Sequence, residues 1–339
     1  MIKFFRKIRQ QLLSDNKFSK YLLYAIGEIV LVVIGIMIAL NINAANERKI
    51  NDREIRNILK EIQNDLEKDV QAANKVIDLY MSADSIQYLI LNDKYTFEDY
   101  ENGSVEDLGT YYVSFIIQTN GFDNLMRNID NLPEKYKHLL PELNDLYVTN
   151  KNYIDTSNDR IKKTVYDYLD FISRKPWAYD KILRKINREA IHYHLNDNYF
   201  KSHILNYMTD LNNILLSAIR HKIEALSTLN NIEEILGDKK GVPQSLKLEN
   251  SDISSIKNIT GTYKIIDSLG TGWDTHFEIQ NCGNKVFFKT NDSKKEIYYF
   301  KNQTYFDRNT GIYQFDKSDT LTISYGIYGK TVNVKSIQK

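Results

Sequence analysis

The chain is predicted to be an α-helical protein carrying a separate all-β module, with an N-terminal transmembrane helix, an elongated antiparallel helical bundle and a small antiparallel β-barrel or curled meander. Three observations predict this. Tyr21 to Leu40 is a twenty-residue apolar run with one charge, Glu28. Apolar residues then recur at three- and four-residue steps through most of the next 190 residues. After Ser254 the period changes to two and turn residues recur every few positions. The implied divisions are a basic tail (1–20), a membrane helix (21–42), a helical stalk and bundle (43–236), a linker (237–254) and a β-module (255–339).

The first twenty residues carry Lys3, Arg6, Lys7, Arg9, Lys17 and Lys20 against Asp15 alone, a net charge of +5, whereas the remainder is slightly acidic. Cationic flanks stay on the cytoplasmic side of a span, beside anionic lipid. This predicts a cytoplasmic N-terminus and an extracytoplasmic bulk, which in a bacterium is a single-pass inner-membrane protein with a periplasmic domain. Phe4, Phe5, Ile8, Leu12 and Leu13 fall near one helical face, so the tail reads either as a short amphipathic helix on the leaflet or as a plain orienting tail. A cleaved signal fits less well: the apolar run is long, and Asn43-Ala44-Ala45 is a poor cleavage site.

About 20 residues of α-helix match the hydrocarbon thickness of a bilayer, so the lipid bilayer is the first expected partner. Glu28 is costly there unless it meets protein or water. Gly27, Gly35 and Ala39 share a four-residue stripe with Leu31, and small residues at that spacing let two helices approach closely. Gly27, Glu28, Gly35 and Ala39 are therefore the candidate residues for homo-oligomer packing or partner contact. The alternative places Glu28 near the interface, with the small residues incidental.

The run Met1-Ile2-Lys3-Phe4-Phe5-Arg6-Lys7, then Asn16-Lys17-Phe18-Ser19-Lys20-Tyr21-Leu22-Leu23-Tyr24-Ala25-Ile26-Gly27-Glu28-Ile29 and Val33-Ile34-Gly35-Ile36, resembles the N-terminal signature of a bacterial family of uncharacterised single-anchor membrane proteins. The likeness is specific over about the first 50 residues. It continues loosely to Ser114-Phe115 and Thr119-Asn120-Gly121-Phe122, and it does not reach the last 85. It implies a membrane location and a helical exterior domain, and no activity.

Ile55, Leu59, Ile62, Leu66, Val70, Ala73, Ile77 and Tyr80 form nearly a heptad seam, with one extra residue between Leu66 and Val70. Such a seam serves a bundle core or a coiled coil. Residues 38–102 contain neither Pro nor Gly, so the membrane helix is expected to run directly into the stalk. A loop is expected from about Asp93 to Gly109, then a short helix from Thr110 punctuated at Asn120-Gly121. Pro133 and Pro141 suit first helical turns. Helices are expected from Pro141 to about Phe171, broken at Arg174-Lys175-Pro176-Trp177, and from about Tyr199 to Leu236.

Gly237, Gly241 and Pro243 among polar residues mark the linker. Beyond it, about eight short alternating strands fit a meander. Gly261-Thr262-Tyr263 resembles the first-strand opening of lipocalin-like barrels and of small β-modules appended to bacterial serine hydrolases, an architectural likeness only. In an open-mouthed barrel, Trp273, Phe277, Phe288, Tyr298, Phe300, Tyr313 and Tyr325 would line an apolar ligand pocket. In a closed one these rings fill the interior.

No nucleophile elbow or phosphate-binding Gly loop occurs, and no catalytic residue, metal site or cofactor is predicted. His192, His194 and His203 would approach one another only through the turn near Asn196. Cys282, the single cysteine, reads as a packing residue, and no internal disulfide is available. The acidic exterior disfavours nucleic acid. These features imply an envelope scaffold that presents the β-module to another, unknown envelope protein. The alternative is a lipid or small apolar solute carrier using the β-module as a cup.

Overall fold

A computed structural model describes residues 18–101, 108–183, 185–237, 259–269, 276–283, 285–301, 303–307, 311–315, 320–324 and 330–335. The first helix, α1 (Phe18–Leu91), is unbroken over 74 residues, about 110 Å at 1.5 Å per residue. None of the described side chains of its apolar N-terminal stretch is buried, most are exposed, and the stretch is long and apolar enough to cross a membrane. Its C-terminal half carries the expected seam: Ile55, Leu59, Ile62, Leu66, Val70, Ala73, Ile77 and Tyr80 are all buried. The lack of Gly and Pro leaves no point at which the exposed and buried halves can separate.

The seam packs inside the same chain. A short α2 (Phe97–Glu101) follows the first turn, and α3 (Asn120–Arg127) lies on α1. The chain then turns upward through α4 (Leu140–Asn144), started by Pro141, a π-helical turn (Asp145–Asn150) and α5 (Lys151–Ser173). Pro176 ends that rod. After α6 (Ala178–Ile182) comes α7 (Arg188–Asn196), whose cap Asn187 accepts from the Glu189 and Ala190 amides. The return helix α8 (Asn198–Leu236) is capped by Asp197 and stopped by left-handed Gly237. Cross-helix contacts fix the directions. Arg56 donates to the Leu236 carbonyl, His221 faces Asp69, and Lys222 donates to Asn74, so α1 and α8 are antiparallel. Thr164 donates to Asp210 and Tyr168 stacks on His203, so α5 and α8 are antiparallel too.

Two sequence expectations fail within the helical part: the segment from about Asp93 to Gly109, expected as a loop, holds the short helix α2, and the next segment is not the helix expected. The segment from Thr110 is not helical: residues 111–119 form neither helix nor strand, and helix begins only at Asn120. This strap descends between the helices where a bundle would otherwise place another helix.

Eight strands follow: β1 (Gly261–Leu269), β2 (His276–Cys282), β3 (Lys285–Lys289), β4 (Lys294–Lys301), β5 (Thr304–Asp307), β6 (Ile312–Phe315), β7 (Thr320–Ser324) and β8 (Lys330–Lys335). Each pairs antiparallel with the next, and β8 returns to β1, closing a meander barrel. Tyr263, Phe277, Ile279, Val286, Phe288, Ile297, Tyr305, Tyr313, Phe315, Leu321 and Ile323 form its interior. The intervening residues Tyr298, Phe300, Phe306 and Ile312 belong instead to the helical core. Both faces of β5 are therefore buried, as expected of a sheet covered on its outer side. The barrel is docked on the bundle, with the Lys222 ammonium 4.6 Å from the centre of the Phe300 ring.

Candidate functional site: a buried polar seam under the strap

An irregular segment inside a helical bundle has no ladder to satisfy its backbone, and a buried unpaired amide or carbonyl costs about 1–3 kcal/mol. Here side chains from three helices take that role. Asn158 on α5 clasps Phe115 in both directions, its Oδ1 accepting from the Phe115 amide at 3.0 Å and its Nδ2 donating to the Phe115 carbonyl at 2.7 Å. Asp69 Oδ1 accepts the Gln118 amide at 2.8 Å, and Asp65 Oδ2 the Gly121 amide at 2.9 Å. From α8, Tyr207 donates to the Tyr111 carbonyl at 3.0 Å, and His203 Nε2 meets the Gly109 carbonyl at 3.0 Å. A carbonyl only accepts, so His203 carries its proton on Nε2.

Two glycines permit the approach. Gly109 sits at φ +75°, and a Cβ there would lie 2.5 Å from His203 Nε2. At Gly121 a Cβ would meet the Ile62 backbone, 2.6 Å from its nitrogen and 2.9 Å from its Cα. α3 therefore rests on α1 at backbone contact distance.

The electrostatics follow from burial. Asp69 is fully buried, and loss of solvent raises its carboxyl above the usual range against the lowering pull of His221 and the Gln118 amide. His221, also fully buried, holds Nε2 3.4 Å from Asp69 Oδ2, and the Phe115 ring packs edge-on against it. Burial drives the Tyr147 phenol far up, with the Asp69 and Asp65 carboxylates adding to the effect. Burial lowers His203 to about 4, with the Gly109 carbonyl opposing, while its ring stacks 3.7 Å from Tyr168. The cluster holds a neutral His203 and a sealed Asp–His pair. Among the described residues no Ser, Thr or Cys hydrogen-bonds to His221. The arrangement acts as a latch on the strap.

The irregular step in the α1 seam was its visible trace. A regular three-residue step from Leu66 lands on Asp69, which is as buried as Leu66 itself. Nothing in the sequence signalled Asn158, Tyr207 or His203 as strap ligands, because their partners are backbone atoms 43 to 96 positions away.

The residues singled out from sequence lie in two other places. Gly27, Gly35 and Ala39 are exposed on α1, with nothing within 4 Å of a Cβ built on either glycine. Glu28 is partly covered on the same stretch. In the barrel, Phe277, Phe288 and Tyr313 point inward and contact one another in sequence, 4.8 and 5.2 Å between ring centres. Tyr298 and Phe300 occupy the opposite face, against the bundle. Trp273 and Tyr325 lie outside the described residues. Phe288 on β3 touches Tyr313 on β6, and Tyr263 on β1 lies 6.1 Å from Phe315 on β6, so rings meet across the interior at both levels.

The histidines considered together do not converge. His194 is buried between Trp177 and Tyr100, His203 belongs to the latch, and His192 lies beside Asn196. No group of three or more potential metal ligands forms among the described residues. Cys282 corrects the packing expectation: it is exposed at the end of β2, with the Lys294 ammonium 3.9 Å away.

A family model described as a family of unknown function (DUF6090) matches residues 28–111. The matched stretch runs from inside the exposed apolar helix, through the seam with Asp65 and Asp69, to the first residues of the strap. No curated protein matches the chain.

Proposed function

We propose that this chain is a single-pass inner-membrane scaffold with its N-terminus in the cytoplasm, its bundle and barrel outside, and another envelope protein as partner. The observation that carries this reading is the continuity of α1. The exposed apolar stretch and the buried seam are one helix with no hinge residue between them, so an anchored N-terminus would fix the direction in which the bundle projects. The barrel is held on the bundle by an apolar face, as a presenting module requires. The net +5 tail supports the cytoplasmic placement of the N-terminus. The open small-residue stripe at Gly27, Gly35 and Ala39 supports pairing of two anchors.

The cup reading needs an open interior. Ring contacts between β1, β3 and β6 weigh against one and favour the scaffold. In-cell photocrosslinking from positions on the barrel surface tests the proposal. Capture of one defined envelope protein supports it. Crosslinks only to lipid, or none from any position, count against it.

A further inference from the structure

We infer that the groove between α5 and α8 is a binding site for a small soluble anion bearing a carboxylate or phosphate group. The groove is open and has a volume of about 440 Å³, within the range of small-molecule sites. It is lined by residues one to three turns apart on each helix, and no carboxylate is among them.

Its donors are in surplus. Arg220 is half-buried and makes no hydrogen bond or ion pair with the described residues. The acid one turn along, Glu224, accepts instead from Asn150 at the groove's end. Arg160 faces the groove from α5 and uses one nitrogen, Nη2, at 3.1 Å from Asp210 Oδ1. A guanidinium has five N–H donors, so most of its fork stays available. Ser157, Asn213 and the Tyr153 hydroxyl also line the groove with their donors unused by the described residues. Two guanidinium forks with amide and hydroxyl donors and no lining acid match the geometry of carboxylate and phosphate recognition.

Position narrows the source. The groove lies level with α1 near Asp69, opposite His221. That is about 40 Å along the helix from the end of the apolar stretch, beyond the reach of a lipid headgroup. The ligand is therefore a dissolved anion.

The test uses the full chain in nanodiscs of neutral lipid, titrated calorimetrically with inorganic phosphate, citrate and, as a neutral control, glycerol. At least one anion should bind with a Kd of about 1 mM or tighter, and glycerol should not bind. Arg220→Gln should weaken that binding about tenfold or more, and Arg220→Lys should restore part of it. Arg220 holds no other residue, so neither variant should alter folding, which the melting curve checks. Replacing a third of the lipid with phosphatidylglycerol should leave the titration unchanged. Absence of binding by both anions, equal binding in Arg220→Gln, or competition by the anionic lipid would each overturn the inference.

Discussion

Replacing Gly121 with alanine tests the strap's docking most sharply. The added methyl would sit 2.6 Å from the Ile62 nitrogen and 2.9 Å from its Cα. Those atoms are helix backbone in the middle of α1 and cannot swing aside. α3 must therefore retreat, which stretches the 2.9 Å bond from the Gly121 amide to Asp65. Overpacking of this kind costs about 1–3 kcal/mol. Loss of a buried bond to a carboxylate adds about 1–3 kcal/mol. The sum, about 2–6 kcal/mol, exceeds the small gain in helix propensity from Gly to Ala, about 1 kcal/mol. Urea unfolding of the full chain in detergent, followed by circular dichroism and tyrosine fluorescence, reads the difference, and hydrogen exchange at the Gln118 amide reads the strap directly. A Gly121→Ala protein within about 0.5 kcal/mol of wild type, with Gln118 still protected, would refute the close approach.

Three further outcomes follow from the same geometry. Asn158→Leu strips both partners from Phe115 and should destabilise the bundle by about 2–4 kcal/mol in the same urea assay. His203 has a folded value of about 4 against 6.5 unfolded, so its neutral form is the one the fold prefers. Its contribution is whole above pH 6.5 and fades as pH falls towards 4, a loss of up to about 3 kcal/mol. Asp69, raised by burial, acts in the opposite sense, costing stability as pH rises above 3.8. Urea midpoints from pH 7 to 4.5 should show a fall that is smaller in His203→Asn. Phe306→Ala should weaken barrel docking by about 3–5 kcal/mol, read as faster exchange in β5 with the interior strands still protected.

The helices and strands were legible because their partners are periodic. Ile55 to Tyr80 repeat at helical steps whatever they pack against, and β2 and β3 alternate cleanly. The strap was not legible, because residues 111–119 contain no helix breaker and their irregular path is held by Asp69, Asn158 and Tyr207 from distant segments, with His203 at Gly109 just before it. Asp69 announced itself only as a flaw in the seam. Barrel docking was half-visible: Ile297-Tyr298-Tyr299-Phe300 has no polar alternation, which marks a strand covered on both faces. The solvent face between α5 and α8 carries no periodic signal at all, since its donors converge only once two antiparallel helices are in place.

In the proposed arrangement α1 anchors the chain in a bilayer and carries the bundle out of it. Protease accessibility on intact spheroplasts, combined with alkaline carbonate extraction of the membranes, tests both halves together. Residues beyond 43 should be digested from outside, and the N-terminal fragment should stay in the carbonate-washed pellet. Release of the full chain into the carbonate supernatant would rule out the anchor, and protection of the bundle until the cells are lysed would rule out its placement outside.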